Sequence, residues 1–195
     1  MPPKVKINRQ AIIEAATDLV RTQGHEQLNA RSLAAQLHCS TQPIFSNFEN
    51  MEEVKMAVVD AAQALYESYM EEDTKSGLYP PYKASGMAYI RFALEEKELF
   101  KLLFMRDRTA EEIPEETEFG KAVMAMVEET VGLDSPAAQL FHLEMWAFVH
   151  GIAAMVATNY LALDMKLVSR MTSDTYNGLL WRFEKEYGQK SEETE

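Results

Sequence analysis

Leu28-Asn29-Ala30-Arg31-Ser32-Leu33-Ala34-Ala35-Gln36-Leu37-His38-Cys39-Ser40-Thr41-Gln42-Pro43-Ile44-Phe45 contains two helix starts in close succession. Asn29 has the side-chain oxygen that an N-cap needs, and Leu28 with Leu33 stands at the two positions of a hydrophobic staple. Ser40 repeats the scheme, with Cys39 and Ile44 in the staple positions and Pro43 within the first turn, where its missing N–H is no loss. Helices this short bury little against each other. Two capped starts so close together set a sharp angle between them, which is the geometry of a helix-turn-helix.

Upstream, Ile12, Ala15, Ala16, Leu19 and Val20 form one apolar stripe and predict a helix over about 9–23. Gly24 follows, where a helix commonly closes in the left-handed conformation. Lys4, Lys6 and Arg9 precede that helix as an arm that can reach phosphates, or simply as a solvated terminus. In the third helix Ile44 and Phe48 face inward, which leaves Thr41, Gln42, Phe45, Ser46 and Asn47 on the outer side. Glutamine can bond adenine through two hydrogen bonds, serine and threonine reach bases or phosphates, and an aromatic ring packs on a thymine methyl or a sugar. The outer face of any small bundle is also polar, so the exposed Phe45 is the less ordinary member of this set.

The rest of the chain is helical in pattern. Among 195 residues there are eight Gly and seven Pro, and no sustained apolar–polar alternation. Asn50 opens a long helix to about Lys75, with Glu53 completing a capping box. Ser76-Gly77-Leu78-Tyr79-Pro80-Pro81 interrupts it. Helical patterns follow near 82–95, 97–106 and 118–131, the last preceded by an acidic loop over 109–117. Ser135-Pro136 opens a helix over about 136–162, and the final one spans about 165–187, ahead of a charged tail. The 136–162 helix is apolar on most faces, so a membrane span has to be weighed. Glu144, His150, Thr158 and Asn159 inside it, with no flanking Lys/Arg cluster, argue against one; such a helix is buried within a fold or against another subunit.

Charge divides unevenly. Residues 1–50 carry five basic and four acidic groups, whereas the whole chain carries a net −12. Phosphate contact needs cations, so the N-terminal part is the electrostatic candidate for nucleic acid and the acidic body is not. The single cysteine excludes an internal disulfide, and with no secretory pattern at the start it predicts a cytoplasmic location. No HExxH, Gly-rich phosphate loop or nucleophile elbow is present, which predicts neither an enzyme nor a metal or cofactor site.

The run over 12–59 resembles the DNA-binding region of the tetracycline-repressor (TetR) family. The match rests on Ile12, Ala15-Ala16, Leu19-Val20, Gly24, Leu33-Ala34, Leu37, Cys39-Ser40, Ile44-Phe45, Phe48 and Glu52-Glu53-Val54. The resemblance implies that residues 41–47 enter the major groove, with Ser40, Thr41, Gln42, Pro43, Phe45, Ser46 and Asn47 as the reading set. It also implies phosphate contacts at the starts of the second and fourth helices, here Arg31 and Lys55. The family usually has Tyr at Phe45, a small residue near Gln42-Pro43 and Lys at Met51; Lys55, one turn on, is the substitute for the last.

Trp146-x-x-x-His150-Gly151, with Leu99-Phe100-x-Leu102-Leu103-Phe104 upstream, is similar to the ligand-binding part of a branch of that family with a Trp-His-Gly signature. It implies dimerisation through the last two helices, about 136–162 and 165–187, and an effector pocket among the middle ones. Met87, Phe104, Met105, Met124, Met145, Trp146 and His150 are the candidate lining; methionine suits variable apolar guests but is also ordinary core.

The expectation is therefore an all-α chain: a three-helix helix-turn-helix domain over 1–50, joined by a long helix to an effector-binding and dimerisation domain over 51–195. Its expected function is that of a ligand-responsive repressor binding a near-palindromic double-stranded operator as a homodimer. A small apolar effector would lower its affinity for DNA. The alternative is a helical sensor or protein-interaction module whose helix-turn-helix no longer reads DNA.

Overall fold

The computed structural model describes residues 7–107, 109, 117–132 and 135–187. Lys4, Lys6, most of the acidic loop and the charged tail lie outside them. The described residues form nine α-helices and no strand. These are α1 (Arg9–Gln23), α2 (Ala30–Gln36), α3 (Gln42–Phe45), α4 (Met51–Ser76), α5 (Pro81–Glu95), α6 (Lys97–Phe104), α7 (Glu118–Val131), α8 (Ser135–Ala157) and α9 (Met165–Tyr187).

The chain divides into two compact units. One comprises residues 1–68 and 95–107, the other 69–94 and 108–195. In the first, α1 packs against α2 and α6. Ile12, Ala16, Leu19, Val20, Leu33, Ile44, Phe48, Val54, Val58, Leu99 and Phe100 are buried there. The apolar positions of α1 fall at helical spacing and bury one stripe, so the helix is held by packing more than by intrinsic propensity.

Local chemistry explains where these helices start and stop. Asn29 caps α2, its side-chain oxygen accepting from the backbone N–H groups of Arg31 at 3.0 Å and Ser32 at 3.1 Å. Ser32 closes the box by accepting from Asn29 N at 3.1 Å. Ser40 does not cap α3: the cap position falls to Thr41, with no side-chain bond. The third helix therefore starts one residue later than the sequence suggested, and it is a single turn. What ends α2 instead is His38, with φ +50°. Its N–H bonds to Ala35 O at 3.1 Å while Cys39 N bonds to Ala34 O at 3.0 Å, the paired closure of a Schellman motif with histidine in the usual glycine position. At Gly24 φ is +86° and ψ 159°, so that residue takes a positive φ but not the left-handed helical conformation expected of it.

The same closure shortens α8. Asn159 has φ +56°, its N–H bonds to Val156 O at 3.2 Å, and Tyr160 N bonds to Met155 O at 2.9 Å. The helix thus stops at Ala157 rather than running to 162. In the second unit α8 packs between α7 and α9. Tyr82, Val127, Val131, Ala137, Ala138, Phe141, Met145 and Phe183 form one buried cluster there.

Two tyrosines of α5, seven residues apart, each meet a histidine of α8. Tyr82 Oη lies 3.1 Å from His142 Nδ1, and Tyr89 Oη lies 2.8 Å from His150 Nδ1. Burial raises the Tyr82 phenol and lowers both histidines. A neutral imidazole with its proton on Nε2 can accept the phenol's hydrogen at Nδ1.

Because both histidines are lowered in the folded chain, the unfolded chain takes up their protons first as pH falls below about 6.5. The stability they contribute is present above that pH and is lost as pH falls toward their folded values. Urea unfolding should therefore show a lower midpoint at about pH 5.5 than at about pH 7.5. The double substitution His142→Gln with His150→Gln should flatten that difference; an unchanged slope would exclude the pair as its source.

Candidate nucleic-acid interface

The outer face of the first unit is organised by Arg9. It lies inside α1, not on a free arm, and Nη1 donates to Glu53 Oε1 at 2.8 Å and to Asn47 O at 2.9 Å. Its guanidinium carbon sits 4.0 Å from the Phe48 ring centre, a cation–π contact. The second oxygen of Glu53 accepts from Glu49 N at 2.7 Å, and Asn50 Oδ1 accepts from Glu53 N at 2.9 Å. The capping box predicted at Asn50 is thus displaced: Glu53 reaches the N–H of Glu49 rather than that of the cap residue. That backbone bond first, and the Arg9 guanidinium second, hold the Glu53 carboxyl below its ordinary range.

One arginine therefore ties the start of α1, the end of the α3 turn and the first turn of α4. The helical spacing of residues 12–20 gives no sign of this role. The only sequence signal is an arginine one residue after Asn8, which caps α1 by accepting from Ala11 N at 2.8 Å.

On α3, Gln42 and Ser46 are exposed, Thr41, Pro43 and Asn47 are half-buried, and Phe45 is 48% exposed. Ser46 Oγ donates to Gln42 O at 2.9 Å and Asn47 Nδ2 donates to Pro43 O at 2.8 Å. These two side chains are turned back onto their own turn. Ser40 is exposed beside them, and Arg31 is exposed at the start of α2. Ile44 and Phe48 are buried, as their spacing requires.

Among the described residues, most cations of this unit already have a partner. Lys55 Nζ lies 2.7 Å from Glu52 Oε1. Arg21 contacts Glu96 and Asp18, each at 2.7 Å, and the bond to Glu96 raises its pKa. Lys101 pairs with Glu98 at 2.6 Å. Over residues 1–68 and 95–107 nine basic groups face twelve acidic ones, a net −3.

The candidate effector residues divide. Phe104 and Met105 belong to the first unit, while Met87, Met124, Met145, Trp146 and His150 belong to the second. Met87 and Met145 are buried; Trp146 is 41% exposed and stacks on His150, with ring centres 5.0 Å apart and planes 25° from parallel. Nothing lies within 4 Å of where a Cβ on Gly151 would stand, so no close approach within this chain explains that glycine. Among the described residues no group of three His, Cys, Asp or Glu is placed to hold a metal ion.

Residues 82–174 match the model of the family described as Tetracyclin repressor-like, C-terminal domain. That stretch is therefore similar to the C-terminal domain of TetR-type regulators. Among solved structures, the fold is similar to that of a TetR-like transcriptional regulator from Rhodococcus sp. RHA1, with a TM-score of 0.62 and 14% identity. That likeness covers 93% of this chain and 97% of the other. No curated protein matches the chain.

The exposed Glu52–Lys55 pair holds its partners only weakly, so if Lys55 holds a phosphate, Glu52 competes with DNA for it. Glu52→Gln should tighten binding at low salt and steepen the slope of log K against log salt by about one unit, as one more phosphate is neutralised. Filter binding across a salt series measures it; an unchanged slope would place Lys55 away from the phosphates.

Proposed function

We propose that this chain is a TetR-type, ligand-responsive repressor that binds a near-palindromic double-stranded operator as a homodimer. In this reading residues 1–50 are the DNA-binding domain and 51–195 the effector-binding and dimerisation domain. The observation that carries it is the single-turn helix α3, fixed by the Arg9 contacts, with Gln42 and Phe45 outward. Ser40, Thr41, Gln42, Pro43, Phe45, Ser46 and Asn47 form the groove face, and Arg31 and Lys55 hold phosphates. Arg31 supports this role because it is exposed and makes no ion pair among the described residues.

The dimer is assigned to α8 and α9. Leu140, Leu143 and Trp146 on α8, and Leu167 and Trp181 on α9, are large apolar side chains left exposed. Among the described residues Pro136–Ala157 is long and apolar enough to cross a membrane, with a mean hydropathy of 1.4. Glu144 within it lies 3.5 Å from Arg182 of α9, and the helix packs in a helical layer. A second subunit covers such a face as well as lipid does, and we assign the protein to the cytoplasm. A two-fold dimer sets its reading helices one DNA turn apart, about 34–36 Å.

A small apolar effector, bound in the second unit among Met87, Met124, Met145, Trp146 and His150, releases DNA only by binding the non-DNA conformer more tightly. The paired cations favour one other reading, a helical sensor whose helix-turn-helix no longer reads DNA. A gel shift of the effector-free chain against a genomic fragment library decides between them. No shift even at low salt would sink the repressor.

Two substitutions test the parts. Gln42→Ala should cost about 1–3 kcal/mol at one base pair and relax preference there; uniform weakening on all sequences would reduce Gln42 to a backbone contact. Leu143→Glu, at a 56% exposed position, should leave the helical content unchanged but give a monomer in sedimentation. A persistent dimer would move the interface elsewhere.

A further inference from the structure

Resting on that DNA-binding reading, we propose that Phe45 recognises the 5-methyl group of a thymine in each half-site, beside the base pair read by Gln42. The argument starts from what α3 can still offer. Ser46 spends its donor on Gln42 O at 2.9 Å, and Asn47 Nδ2 is turned back onto Pro43 O at 2.8 Å. Arg9 is committed to Glu53 and Asn47. Gln42 and Phe45, three apart in sequence and so neighbours on one helical face, are the exposed side chains left on that turn.

A phenyl ring has no donor or acceptor. In the major groove only thymine presents an apolar group, its C5-methyl. Phe45 keeps 48% of its surface in water, and covering a ring edge with that methyl returns both to an apolar contact. A phenolic residue at this position would instead be drawn to a phosphate oxygen. Phe45 removes that option and leaves apolar packing, on a thymine methyl or a sugar, of which only the methyl distinguishes one base from another. Recognition then rests on an apolar contact that salt does not screen, in a unit whose cations are mostly paired with carboxylates.

The test uses the full chain and DNA altered one atom group at a time. A site is first selected from random duplexes, and each thymine of the selected half-site is then replaced by deoxyuridine, which keeps base pairing and removes only the methyl. One position should weaken binding about fourfold per half-site, the loss expected for one buried methyl. At that position cytosine should bind poorly and 5-methylcytosine should recover much of the loss. Phe45→Ala should abolish the difference between thymine and uracil while leaving the base preference at the Gln42 pair in place. A selected site at which uracil is neutral everywhere, or a half-site without a fixed thymine, overturns the thymine assignment alone. If no duplex is selected at all, the DNA-binding reading falls and this one with it.

Discussion

The Arg9 guanidinium is the contact on which the reading face depends. A one-turn helix cannot hold itself: nucleating a turn fixes several dihedrals for a single hydrogen bond, so α3 needs tertiary support. That support comes from below through buried Ile44 and Phe48, and from the side through Arg9, which holds Asn47 O, Glu53 and the Phe48 ring together. Each bond is modest and partly exposed. Their value is geometric, because they set the exit of α3 and the entry of α4 against a common point on α1.

This explains which parts of the chain could be read from its sequence. Periodicity located α1 and α4 because each buries a stripe at helical spacing, and Asn29 marked α2 because capping is local chemistry. The Ser40 cap misled for the same reason: serine is a good cap only if the chain enters the helix there, and the His38 closure of α2 delays that entry to Thr41. A left-handed residue is legible when it is glycine and nearly silent when it is histidine or asparagine, which is why the end of α8 at Ala157 was overshot. The grouping of α6 with α1 was equally silent, since it depends on contacts between segments far apart in sequence.

At the candidate site, the outward set on α3 followed from the inward positions of Ile44 and Phe48. What spacing did not supply was commitment. Ser46, Asn47, Arg9 and Lys55 all read as available polar groups in a sequence, and in the structure each already has a partner. The Glu52–Lys55 pair joins opposite charges three apart on one helix face, a spacing that favours such pairs. The Tyr82–His142 and Tyr89–His150 bonds were half-visible: the spacing within each helix is regular, but nothing in either helix names the other as its partner.

Pairing the cations internally has a consequence for recognition. Non-specific binding to DNA is almost wholly electrostatic, and each neutralised phosphate strengthens it on every sequence alike. Arg9, Arg21 and Lys55 face carboxylates and so lend less to that general attraction, while base-edge and methyl contacts are untouched by it. Affinity falls, but the ratio of specific to non-specific binding need not, and in a genome offering on the order of a million competing sites that ratio decides occupancy. A weakly charged head can work on those terms only if its contacts are doubled. Two modest half-site energies then add on one duplex, whereas a single head of net −3 with its unit would gain little from either half alone. Doubling those contacts is what the proposed pairing through the exposed apolar faces of α8 and α9 would supply.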